Sequence, residues 1–171
     1  MENKCYIFGE DHSPNERTEI ENKIRDLNDR IGIKYILSEE LGSYEYYDIS
    51  SMQQAINDEM YSISPRTLEL GIELNIPVIG IDTWNDSVYL DDIKDSDGNC
   101  IDFSSSFKIR EYIMYSKIRE FMQYNGNIVV IVGDSHLRTI STKELGKESI
   151  LSTKLNTDDY IIIRSRNREI E

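Results

Sequence analysis

The chain holds two histidines, His12 and His136, and both stand in one pattern, a glycine followed three residues later by histidine. Gly9-Glu10-Asp11-His12 follows the apolar run of residues 4–8. Gly133-Asp134-Ser135-His136 follows that of residues 127–132. Imidazole beside carboxylate suits proton transfer to and from a reacting group, or ligation of a divalent metal with open positions. The glycine of each pattern permits a sharp turn and close approach of the backbone. Other apolar runs also end in acids: Ser38-Glu39-Glu40 after residues 33–37, and Asp82 after residues 76–81. Asp, Ser and Asn commonly follow strands because they cap the next helix. The matched placement of two scarce histidines favours function over capping.

Arg110 is the remaining candidate. It lies four residues before Met114 and so shares a helical stripe with Met114, Ile118 and Phe121. Facing inward, an arginine needs an acidic partner or an anionic ligand, because burying it unpaired is costly. The alternative is a helix-end arginine that snorkels to water. Asp95-Ser96-Asp97-Gly98-Asn99 suggests calcium, but Ile93 and Ser104 stand where a calcium loop needs acids. A loop tip is expected there instead. Tyr44, Tyr46 and Tyr47 are expected to be partly buried surface residues.

These residues need elements to position them. Short apolar runs predict strands over 4–8, 33–37, 76–81, 127–132 and 160–164. Ile20, Ile24, Leu27 and Ile31 form one stripe of a helix over Asn15–Arg30, with Ser13-Pro14 as its cap. Further helices are predicted over 50–60, 65–74 and roughly 104–124, and residues 83–103 read as acidic and irregular. Strands that are apolar throughout and alternate with helices indicate a mainly parallel sheet covered on both faces. The expected class is α/β, a three-layer α/β/α arrangement forming a single domain over residues 1–171. Ligands of such sheets bind beyond the carboxyl ends of the strands, where the candidate residues lie.

Composition narrows the partners. The 171 residues carry 32 acids against 19 bases, a net charge of −13, with 39% hydrophobic residues. An excess of acid disfavours nucleic acid and anionic membrane surfaces, which need clustered Lys and Arg. The opening MENKCYIFGE has neither a basic region nor a long apolar run, so no signal peptide is expected. Cys5 and Cys100 make neither a disulfide scaffold nor a thiolate zinc site, and Cys5 reads as a small core residue. A cytoplasmic protein acting on a small molecule or peptide is the expectation.

The ordered motifs resemble a known superfamily, which joins the TraB/Tiki proteins, the ChaN haem-uptake lipoproteins and the erythromycin esterases. IFGEDHSPNE is similar to the strand–G-E-x-H opening of the ChaN-like branch. YILSEEL resembles the second strand with its terminal glutamate, placed at Glu39. IPVIGID resembles the middle strand, REYIM the Arg-containing helix, and IVVIVGDSHL the late strand with the second G-x-x-H. The resemblance runs over about residues 4–140. It implies a three-layer fold with a polar site of Glu10, His12, Glu39, Arg110 and His136. It also implies hydrolysis of an amide or ester bond. His12, His136, Glu10 and Glu39 would then hold a divalent metal (Mn, Co or Zn), as in the metal-dependent peptidases of the Tiki branch. Alternatively, a histidine would activate water, as in the erythromycin esterases. Arg110 would hold a substrate carboxylate or the developing oxyanion.

Two other readings stand beside this one. The fold and site could belong to a binding module without catalysis. Gly133-Asp134-Ser135 also resembles the G-D-S of SGNH hydrolases, with Ser135 as nucleophile. That family places this motif early and its histidine late, whereas here it is late and a base would have to come from His12.

Overall fold

The computed structural model describes residues 3–58, 65–83, 91 and 93–165. Its strands are β1 (Cys5–Glu10), β2 (Ile33–Ser38), β3 (Glu45–Tyr46), β4 (Val78–Gly80), β5 (Asn127–Gly133) and β6 (Tyr160–Ile163). They form one sheet in the order β3-β4-β2-β5-β1-β6. All neighbours pair parallel except β3, which runs antiparallel to β4. Helices α1 (Pro14–Ile31), α2 (Ile49–Asn57) and α3 (Arg66–Leu74) precede β4, while α4 (Phe103–Phe121) and α5 (Ile150–Lys154) flank β5.

Alternation along the strands sorts the core into two layers. Phe8, Ile36, Val129 and Ile131 pack with Ile20, Ile24 and Leu27 of α1, Met52 of α2 and Leu68 of α3. Ile7, Leu37, Val130 and Val132 pack with Met114, Ile118 and Phe121 of α4 and Leu151 of α5. The sheet is covered on both faces, and the α/β class expected from the sequence is the one observed. No helix among the described residues is long and apolar enough to cross a membrane.

Local chemistry sets the boundaries. Ser13 caps α1 by accepting the Glu16 N–H at 3.3 Å, Pro14 opens the helix, and Gly32 closes it at φ +69°. Ile31, expected on the inner stripe, is 40% exposed, because the helix ends there. The two-residue β3 and five-residue α5 are too short to show a periodicity in the sequence. Of the three tyrosines, Tyr46 is buried while Tyr44 and Tyr47 are exposed. The 95–99 stretch is a turn in which Asp95 Oδ1 accepts the N–H groups of Asp97 and Asn99. Within the acidic stretch, residues 84–90 and 92 lie outside the described residues.

Gly9 is required by close approach. A Cβ there would collide with the Asp134 carboxylate and lie 3.0 Å from Leu137 Cδ1. Asp134 cannot yield, since Arg164 holds both its oxygens (2.9 and 2.7 Å) and the Ser165 N–H reaches Oδ1 at 2.7 Å. Gly9→Ala should therefore cost about 1–3 kcal/mol through overpacking. Denaturant unfolding of the variant checks this, and an unchanged midpoint would contradict it.

Candidate functional site

In the sheet, β4, β2, β5 and β1 are consecutive neighbours. Their carboxyl ends therefore bring Asp82, Glu39, Gly133 and Glu10 to one edge. Glu39 opens a single turn, Glu39–Leu41, directly after β2. His136 sits in a similar turn, Asp134–Leu137, after β5. His12 follows β1 with φ +64°, a left-handed conformation uncommon for a residue with a side chain. All five candidates from the sequence lie on this edge.

Glu39 is the junction. Its Oε1 lies 2.8 Å from Arg110 Nη2 and 3.3 Å from His136 Nε2, while Oε2 accepts the Gly133 N–H at 2.6 Å. Burial disfavours its charge, but the His136 charge and hydrogen bond, Arg110 and the Gly133 N–H together hold its pKa well below the carboxylate range. Glu39 stays ionised.

His12 stands on the other side of Gly133. A Cβ built on Gly133 would be 3.3 Å from Glu39 Oε2 and 3.4 Å from His12 Nε2, so the two atoms face one point of the edge. The opposite ring nitrogen, Nδ1, lies 3.5 Å from Glu10 Oε1, and the His12 side chain is 66% exposed. A carboxylate at Nδ1 fixes the tautomer with its proton there and turns Nε2 outward as an acceptor. The Glu10 hydrogen bond outweighs partial burial and, with the charges of Glu10, Glu39 and Glu40, raises the His12 pKa above the ordinary value.

Two buried groups that the sequence reading did not single out support this row. Arg17 of α1 donates through Nη1 to Glu10 Oε2 at 3.0 Å and through Nε to Glu21 at 3.2 Å, and Nη2 bonds Thr67. Glu111 of α4 lies 3.3 Å from His136 Nδ1, bonds Arg138, and accepts the Ile150 N–H at 3.1 Å. Both continue stripes already visible in the sequence: Arg17 precedes Ile20 and Ile24, and Glu111 precedes Met114 and Ile118.

Arg110 faces inward and does not snorkel to water, but its partners are protein carboxylates. It holds Asp82 through Nε at 2.9 Å and Nη2 at 2.7 Å, besides Glu39. Its role here is to fix Glu39. Both ring nitrogens of His136 also face carboxylates.

A divalent metal would draw on His12, His136, Glu10 and Glu39. Each of those carboxylates already carries a guanidinium, so a dication would sit beside two fixed cations. Among the described residues, no group of three or more His, Cys, Asp or Glu side chains is placed to hold one. This donor set, as arranged, does not fit a metal. No protein-family model, curated protein or solved structure matches the chain.

Proposed function

We propose that the chain is a hydrolase that activates water for attack on an ester or amide bond, with His12 as general base. The carrying observation is that His12 Nε2 and an ionised Glu39 Oε2 face one point above Gly133. A water there gives one hydrogen to His12 and the other to Glu39, which leaves a lone pair for the acyl carbon. Glu10 holds the ring and stabilises the imidazolium that forms when the proton moves. Glu39 is too weakly basic to take that proton itself, so it orients the water. The ordered motifs of the sequence add support, as does the strained backbone at His12, a feature that clusters at functional sites.

The test is a panel of chromogenic esters, lactones and peptide amides, run with and without a chelator, alongside elemental analysis of the purified protein. Turnover of one class is expected, and it should persist under chelation. Turnover lost on chelation and restored by Mn²⁺, Co²⁺ or Zn²⁺ would replace this mechanism with the metal-assisted one. No turnover in any class would remove the hydrolase reading and leave a binding module.

A further inference from the structure

We propose that the chain pairs with a second copy of itself through β6, edge to edge about a two-fold axis near Ile162. Nothing in this pairing depends on the hydrolase reading. The sheet ends in two edge strands, β3 and β6. An edge strand offers unpaired N–H and C=O groups to any chain that can add a strand, and proteins blunt such edges by brevity or charge. β3 has both protections: it is two residues long, and Lys117 holds its Glu45 at 2.7 Å. β6 has neither. It reads Tyr160-Ile161-Ile162-Ile163, four residues with no charge and no proline, and among the described residues it pairs with β1 alone.

The α1 side of this edge is open as well. Two cavities of about 270 and 430 Å³ lie between α1 and β6, and Phe8, Lys23 and Ile163 line both. Ile161, which is 38% exposed, lies on the floor of the larger one. The wall is α1, and its charges select the occupant. Glu19, Lys23, Asp26 and Arg30 each line one cavity or both. Their spacings of four, three and four place them on one stripe of the helix. Those spacings read the same from either end, while the alternating signs invert. A second α1 running antiparallel therefore sets Arg30 against Glu19 and Asp26 against Lys23, twice over. The whole chain carries a charge of −13, which repels a copy, but this stripe sums to zero.

One axis serves helix and strand together. Lys23 shares both cavities with Ile163, whereas Asp26 and Ile161 line only the larger, so the middle of the stripe stands level with Ile162. Antiparallel pairing of β6 about Ile162 sets Ile161 against Ile163 of the copy, an aliphatic cross-strand pair on each side of the axis. An axis perpendicular to the sheet at that point also turns the two α1 helices antiparallel on the same face. The two six-stranded sheets become continuous, and their candidate sites open at opposite ends.

A four-residue edge makes a small interface, so the dimer should be reversible rather than permanent. Sedimentation velocity of the full chain over about 1–500 μM, a span that covers weak association, should show monomer passing to dimer. Ile161→Lys should remain monomeric, because lysine guards an edge strand. Lys23→Glu and Asp26→Lys should each weaken the dimer about tenfold, since the axis counts every lost pair twice and puts a repulsion in its place. The double variant exchanges the two charges and should restore association. An ion pair confined to one α1 would not move this readout, and the α1 variants keep the test open should Ile161→Lys disturb the strand. A parent that stays monomeric over the whole span overturns the proposal and leaves the groove to another segment or another protein. A dimer that survives Ile161→Lys in a folded chain overturns it too, as does one indifferent to either single reversal or a double variant no better than the singles.

Discussion

A His12→Asn variant is expected to melt within a few degrees of the parent and to turn over substrate about a thousandfold more slowly, the middle of the range for loss of a general base. The two effects have separate causes. His12 adopts φ +64°, where a β-carbon crowds the backbone and asparagine is among the better-tolerated residues. Its ring is largely exposed, so little packing is lost. Asparagine keeps a polar side chain at the turn but cannot take a proton at neutral pH. Initial rates and thermal melting on one preparation test both halves. A residual rate within tenfold of the parent would end the role of His12 as base.

The same assignment fixes the acid limb of the rate profile. The base acts when neutral, and Glu10 raises its pKa above the ordinary value, so activity should rise with pH at values above those of a free histidine. Stability runs the other way. A raised pKa means the folded state favours the imidazolium, so this contribution is full below the unfolded value and is lost as pH rises through the folded one. Gain of activity and loss of this stabilisation thus share one titration.

The strand ends were legible because apolar runs stop abruptly, and each stop is followed by a polar residue that the parallel sheet must place on one edge. That logic located Glu10, His12, Glu39 and His136 without a contact map. Helical spacing located Arg110 through Met114, but the same count, taken one residue further, reaches Glu111, and on α1 it reaches Arg17. Charged residues on a stripe are normally solvated, so spacing alone does not mark them as buried. Their burial depends on partners distant in sequence, Glu10 and Thr67 for Arg17, and Arg138 and Ile150 for Glu111. Nothing local encodes such pairs. The two-residue β3 carries no periodicity to read, and it exists because β4 has a free edge there.

Glu39 joins two supports that come from opposite faces of the sheet. On the α4 face, Arg110 and the Glu111–His136 pair hold Oε1. On the other, Arg17 holds Glu10, and Glu10 holds the ring that faces Oε2. Each support includes a cation shared among acids, Arg110 on one face and Arg17 on the other. The sheet edge is consequently rigid on both sides of the point where water would react, and the cost of that rigidity falls on these arginines.

Arg17→Met is therefore expected to cost about 3–5 kcal/mol at neutral pH, the range for breaking a buried ion pair by removing one partner. Arg17 is 4% exposed and serves Glu10, Glu21, Glu40 and Thr67 at once. Glu21 retains Arg66 at 2.7 Å, and Glu40 retains the Thr67 hydroxyl at 2.8 Å. Glu10 is left with His12 alone. In the parent, burial disfavours the Glu10 charge, but the His12 hydrogen bond and Arg17 outweigh it and lower the pKa. A lowered carboxylate contributes stability that is present above its unfolded value of about 4.3 and is lost as pH falls through the folded value. Without Arg17, Glu10 takes up its proton at higher pH, and a neutral carboxyl no longer needs the cation. The stability gap between parent and variant should thus be widest near neutrality and narrow on acidification toward about pH 4, where the carboxylates begin to protonate. Urea unfolding at the two pH values measures it, with Arg17→Lys expected to recover part of the loss by restoring charge without the fork. A gap that is small at neutral pH, or that widens in acid, would show that Arg17 does not hold Glu10 in its ionised state.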